Sequence, residues 1–336
     1  MLTTDEAAAG AEAAAVAGER GMVAVAGAGA RAGSRPGWVW RAMLLLAAAI
    51  WGGSFMILKG ALDSISPGWL IAFRFIVSGC VLAVVFRRRL AANLDGSHLL
   101  AGAVVGVSGG LGYLIQNMGL VDTTPSNNAF LTAVYCVMVP FLSWGLTRRR
   151  PGANNFVAAL LCLAGVGFVS LGDSLTFSLR WGDWMTLLSA ACFAVQIVQL
   201  DRLAPGHDVI TLTVVDVFVM GLVSLAKALL TEPVPTPQLT GDLVFQMLYV
   251  TLLSSCVCSV LQNVGQSHVP PTQASILLSL ESVFGVLFSV LFYGDPLTWR
   301  LLCGFALIFL AVLMSEVSPR AVAQWLFGRA AAGREE

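Results

Sequence analysis

The sequence predicts an all-α integral membrane protein of ten transmembrane helices, built as two inverted five-helix repeats. Three observations predict it. The 336 residues are 57% hydrophobic and only 11% charged, with a mean hydropathy of +0.82, whereas a soluble domain carries about 25% charged residues. From Trp38 onward the chain is a series of apolar runs, each long enough to cross a ~30 Å hydrocarbon core as a helix. A stretch of the first half also recurs in the second. Lys plus Arg and Asp plus Glu number 19 each, so nothing in the net charge invites nucleic acid. The expected partners are the lipid bilayer and a small molecule.

Residues 1–37 are rich in Ala and Gly and hold no periodic apolar face. They are expected to form a disordered cytoplasmic tail, because so little bulky apolar surface cannot offset the entropy of ordering. The "GAGARAG" of Gly27–Gly33 has no strand before it and is not a phosphate loop. The acids Asp5, Glu6 and Glu12 stand where a signal peptide would be basic. Ten spans follow, at 39–61, 67–86, 98–119, 124–146, 154–171, 182–202, 208–230, 242–266, 271–292 and 298–316. The gaps are short and hold Pro, Gly, Asp, Asn or Arg, which leaves no room for a separate soluble domain. Residues 38–172 would form the first repeat, 181–316 the second, and 317–336 a cytoplasmic tail.

Arginine triplets follow span 2 (Arg87–Arg89) and span 4 (Arg148–Arg150). With both termini cytoplasmic, fourteen of the 19 basic residues fall inside, the others being Lys59, Arg74, Arg180, Lys227 and Arg300. Such a bias orients a multi-pass protein of the plasma membrane. Trp38, Trp40, Trp69, Trp144, Trp181, Trp184 and Trp299 lie near span ends, as an aromatic belt requires. The seven cysteines all fall in apolar segments and are expected to serve as small hydrophobes.

The recurrence joins "IQNMGLVDTTPSNNAFL" (Ile115–Leu131) to "LQNVGQSHVPPTQASIL" (Leu261–Leu277). Gln116, Asn117, Gly119, Pro125 and Leu131 match Gln262, Asn263, Gly265, Pro271 and Leu277, from 116 to 262 an offset of 146. The match lays spans 3–5 on spans 8–10, so the unit is five helices. Because five is odd, the second copy sits upside down. Inverted repeats with a substrate site between them near the midplane mark secondary transporters.

Glu281 is an acid near the middle of span 9, where a charge is costly. It is expected to face a cavity or a partner. It serves either as a proton relay, which would couple transport to protons without any cofactor, or as a buried structural hydrogen bond. At the repeat offset its counterpart is Tyr135. Asn128, Thr132 and Tyr135 follow i, i+4, i+7 and share one face of span 4. Further polar candidates are Gln116 and Asn117 on span 3, Gln196 on span 6, and Gln262 and Asn263 on span 8. Trp51, Ser54 and Phe55 on span 1 could supply an aromatic wall. Each amide alone is better explained by helix–helix hydrogen bonding; the set together favours a polar pathway. Arg74 is expected to snorkel from span 2 to the outer interface in preference to its other reading, anion binding, and Lys59 to pair with Asp63 one turn away. Asp216, three residues after Thr213, serves equally well for a local or capping hydrogen bond or for transport.

The stretches Ala47–Leu62, Ala129–Pro151 and "SLESVFGVLFSVLFYGDPLTW" (Ser279–Trp299) resemble the EamA family of the drug/metabolite transporter superfamily. The likeness covers about residues 40–316. It departs from the family pattern at Ser282, often Pro, and at Asp295, usually Glu. The resemblance implies a ten-helix carrier of small metabolites, often an exporter of amino acids or related compounds, that works by alternating access. The other readings are a membrane-embedded enzyme, or a channel or sensor of the same fold. His98, His207 and His268 each stand alone in sequence, with no second ligand at a useful spacing, which speaks against metal chemistry and an enzyme. Ten helices can enclose a site within one chain, so a monomer is the expected functional unit.

Overall fold

The computed structural model describes residues 36–148, 152–170, 180–293 and 299–316. The Gly27–Gly33 stretch, most of the expected N-terminal tail, the C-terminal tail, Arg149, Arg150 and Asp295 lie outside them. Contacts divide the chain into Met1–Val39 and Trp40–Glu336. Of the first unit, the described residues Pro36–Val39 only open the first helix; the second unit is the helical bundle.

The described residues are helical with short connections, and the helices fall into the expected spans in order. Span 1 is Gly37–Leu62, span 2 Pro67–Val85 and span 3 Gly96–Asp122, with a short helix Arg87–Asn93 before it. Span 4 is Pro125–Ala133 followed by Tyr135–Thr147, and span 5 is Ala153–Ser170. Span 6 is Trp181–Leu203 and span 7 Val209–Thr231. Span 8 runs through Gly241–Leu248, Tyr249–Val257 and Cys258–Gln266, span 9 through Pro271–Ser279 and Glu281–Tyr293, and span 10 is Trp299–Glu316. Among the described residues, seven of these helices are long and apolar enough to cross a bilayer. Their outer faces carry exposed Leu99, Leu100, Val104, Val107 and Leu111 on span 3, for example, which is the surface lipid would cover.

Spans 2 and 7 pack together, as do spans 5 and 10, so these spans meet their own counterparts in the other repeat. The first half of span 4 packs on the second half of span 9, and the second half of span 4 on the first half of span 9. That exchange of ends is the contact pattern of two antiparallel helices, as an inverted repeat requires.

The repeated Q-N-x-G motif sits where helices cross closely. Gly119 lets span 3 approach span 6, where an added Cβ would lie 2.6 Å from the Gly182 carbonyl oxygen. Its counterpart Gly265 brings span 8 against span 1, where a Cβ would lie 2.9 Å from the Trp40 carbonyl oxygen. Both glycines are thus required by close backbone approach. Pro125 and Pro271 open spans 4 and 9, where a missing N–H costs nothing.

Two irregularities were not expected from the sequence. Spans 4 and 9 are each interrupted at one residue, Val134 and Leu280, which are separated by the repeat offset. At both points the amide bonds three residues back, Val134 N–H to Leu131 and Leu280 N–H to Leu277, tightening one turn toward 3₁₀ geometry. Span 8 is π-helical over Tyr249–Val257, which shifts register by an extra residue in its turns. Freed carbonyls there are taken by side chains from other spans. Trp51 Nε1 donates to the Ser254 carbonyl at 2.8 Å, and Ser78 Oγ to that of Thr251 at 2.8 Å.

Candidate functional site

The spans surround a cavity of about 40 Å³ lined from both repeats. Spans 1, 2, 3 and 4 contribute Trp51, Ser54, Phe55, Leu58, Arg74, Tyr113, Gln116, Thr132 and Tyr135. Spans 6, 8 and 9 contribute Phe193, Gln196, Ile197, Ser254, Gln262, Leu278 and Glu281. This volume holds a few waters and is far below the ~300–1,000 Å³ of ordinary ligand pockets. The lining is nearly dry: Trp51 is 7% exposed, Glu281 6% and Tyr135 4%.

Glu281 opens the second half of span 9, directly after the break at Leu280, and Tyr135 stands at the matching place in span 4. The Tyr135 phenol and the Glu281 carboxyl face each other closely enough to interact. Residues equated by the repeat touch each other only near the axis that relates the copies, so this carboxyl–phenol pair marks the pseudo-twofold. Beside it, the Glu281 backbone is pressed against span 1: a Cβ on Gly52 would lie 2.6 Å from the Glu281 carbonyl oxygen. One turn of span 9 therefore serves both the packing seam and the cavity.

The two motif glutamines, Gln116 and Gln262, both reach the cavity, one from each repeat. Gln116 Nε2 donates to Thr132 Oγ1 at 2.9 Å, tying span 3 to span 4. The remaining three candidates lie outside the lining; Asn128 and Asn263 tie spans together, whereas Asn117 bonds back within its own span. Asn117 Nδ2 bonds the Tyr113 carbonyl at 2.8 Å. Asn128 Nδ2 reaches the Gln116 carbonyl at 3.2 Å and Thr186 Oγ1 at 2.8 Å. Asn263 Nδ2 bonds Thr213 Oγ1 at 3.1 Å and Asp216 Oδ2 at 2.9 Å, so Asp216 pairs across to span 8 as well as lying near Thr213.

Three expectations are corrected. Arg74 does not snorkel: it is fully buried and turns inward to the cavity wall, where Ser255 Oγ accepts from its Nε at 2.8 Å and Ser254 Oγ from its Nη2 at 3.1 Å. The π-helical register places these two serines, and a regular helix drawn from the sequence does not show it. Lys59 Nζ bonds the carbonyls of Leu120, Val121 and Thr123 at 2.6, 2.9 and 3.1 Å, closing the end of span 3 instead of pairing with Asp63. His98 and His207 are neighbours, edge to face at 4.8 Å. Their nitrogens are engaged: His98 Nδ1 lies 2.8 Å from Asp95 Oδ1, its Nε2 accepts from Asp208 N–H at 3.0 Å, and His207 Nδ1 lies 2.6 Å from the Leu203 carbonyl. His98 donates to Asp95 by backbone and side chain, which holds that carboxyl below its usual range. Among the described residues no group of three or more His, Cys, Asp or Glu could hold a metal.

A polar, acid-bearing cavity at the axis of two packed helical repeats, within a multi-pass bundle, defines the class of membrane transporters. The chain belongs to the EamA-like transporter family, whose model matches residues 38–171 and again 180–316. It is 31% identical to an uncharacterized transporter of Archaeoglobus fulgidus over 81% of this chain and 83% of that one. It is 23% identical to the threonine/homoserine exporter RhtA of Escherichia coli, over 85% of this chain and 94% of that one. A solved crystal structure shares the fold, with a TM-score of 0.68 at 17% identity, covering 82% of this chain and 96% of that one.

Proposed function

We propose that the chain is a secondary carrier that exports an amino acid or a related small metabolite by alternating access, with the axial cavity as its site. The observation that carries this is the pairing of counterparts at one cavity: Gln116 with Gln262, and Tyr135 with Glu281. A site shared equally by inverted halves can open to one side and then the other by the same motion in opposite senses. The contracted cavity supports a carrier over a channel, which needs a continuous wet path. The likeness to a threonine/homoserine exporter supports the substrate class and the direction. A plasma-membrane protein with both termini cytoplasmic suits the arginine distribution, and a cavity enclosed within one chain suits a monomer as the functional unit.

Glu281 is the proton-coupling residue in this proposal. The test is counterflow of labelled amino acids, L-threonine first, in proteoliposomes of the full chain. The native protein is expected to show a pH-dependent rate between about pH 5 and 8. E281Q keeps the shape and is expected to lose that dependence, with a rate reduced about tenfold or more. A folded E281Q that transports normally over the whole range removes the proton relay. No counterflow of any amino acid removes the substrate class.

A further inference from the structure

Arg74 is bound on two sides and unpartnered on the third. Its Nε and Nη2 donate to Ser255 and Ser254, while its buried Nη1 has no hydrogen-bond partner. Both anchors are neutral hydroxyls. No ion pair among the described residues includes this guanidinium, although the group stays charged at any physiological pH. The rings of Phe75 and Tyr113 lie 4.8 and 5.4 Å from it, which spreads the charge without neutralising it. An unpaired cation in so dry a place is costly, and an anionic acceptor entering the cavity would relieve that cost.

The protein's own anion does not fill this role. Glu281 lines the same cavity, yet the group its carboxyl meets is the Tyr135 phenol, and no ion pair among the described residues joins it to Arg74. One cavity therefore holds a guanidinium and a carboxyl, each tied to neutral neighbours and neither paired with the other. Gln196 Nε2 is also unpaired, but it rests against Gly109, 2.6 Å from where a Cβ would be, and carries no charge to recognise an anion.

We propose that Arg74 recognises the carboxylate of the transported compound through Nη1, with Glu281 facing its ammonium end. The site then selects zwitterionic amino acids over their esters and over decarboxylated amines. This rests on the carrier reading above. The two serines fix the guanidinium plane, so the open edge presents a prepared donor in a fixed direction. Lysine would keep the charge and lose that geometry.

The test is thermal unfolding of the purified full chain in detergent with a panel of amino acids at tens of millimolar, each beside its methyl ester, and for threonine also beside 1-amino-2-propanol. A ligand of the native state raises Tm with its concentration over Kd. The expected result is that one or more acids raise Tm while the matching ester and amine do not. R74K and R74Q should raise Kd for the acid about tenfold or more. S255A, which keeps the charge and removes the Nε anchor, should raise it severalfold. The comparison of ligands on the native chain, and S255A, keep the test valid if R74Q fails to fold. Equal stabilisation by acid and ester, no stabilisation by any acid, or unchanged acid affinity in R74K and R74Q overturns the proposal. Counterflow on the same panel separates the two failures: acid and ester moving alike leaves the carrier standing, and no counterflow at all removes it.

Discussion

Glu232 gathers a set of donors at the end of span 7. Ser66 Oγ donates at 2.7 Å, the amides of Gly68 and Trp69 at 3.1 and 3.2 Å, and Lys227 Nζ also pairs with it. The carboxylate thereby caps the start of span 2, where free amides and the helix dipole favour negative charge. Burial opposes its ionisation but is outweighed by Lys227, Ser66 and Gly68, so its pKa lies below the ordinary carboxyl value. A depressed folded-state pKa means the stabilisation is present above the ordinary value, about 4.3, and is lost as pH falls through the depressed one. E232A is expected to lower Tm at neutral pH by an amount typical of a lost cap, about 1 kcal/mol. Unfolding curves from pH 7 to 3 should converge on acidification; a constant gap would show that the charge does not matter. Nothing in the sequence singled out Glu232, the bonds of Lys59 to the end of span 3 or the inward turn of Arg74. Their partners lie on other spans, 166 positions away in the case of Ser66, and counting depth along one helix does not see them.

At the scale of elements, the span 1–span 9 seam is a tightly constrained contact beside the cavity. A Cβ on Gly52 would meet the Glu281 carbonyl at 2.6 Å, Gly285 N at 2.7 Å and Phe284 Cβ at 2.7 Å. Two of these are backbone atoms that cannot rotate away. G52A is therefore expected to cost about 1–3 kcal/mol, read as a lower Tm in detergent, and to part the helices beside Glu281. A Tm equal to that of the native chain would show the seam to be compliant. The start residues of spans 4 and 9 were legible, since proline fits the first turn. The interruptions at Val134 and Leu280 were not. Span 9 holds no proline beyond Pro271, and the tightened turns come from tertiary crossing, which leaves no mark on an apolar run. The π-helical turns of span 8 were equally silent, because hydropathy counts residues and not their register.

For the whole molecule, the repeat was the most informative feature of the sequence. It predicted the five-plus-five architecture, and the antiparallel contact of spans 4 and 9 agrees with it. It also equated Glu281 with Tyr135 before any geometry was known. It did not separate Gln116 and Gln262, which reach the cavity, from Asn117, which bonds back within span 3, and Asn263, which ties span 8 to span 7. Adjacent residues on a helix point about 100° apart, and the sequence does not say which direction is inward.

The touching of Tyr135 and Glu281 on the axis has a consequence for sidedness. In the proposed cycle, an axial group meets cargo in the same way from either compartment, whereas an off-axis group and its counterpart exchange roles when the carrier reverses. Substitutions at Glu281 should then weaken half-saturation equally whether substrate is offered inside or outside a vesicle. Q116A and Q262A should do so unequally and in opposite senses, Q116A raising KM more from one side and Q262A more from the other. Oriented vesicles assayed in both directions would show this as a crossed pattern. Two shifts of the same sense would mean that the halves, though alike in descent, no longer work as each other's reflection.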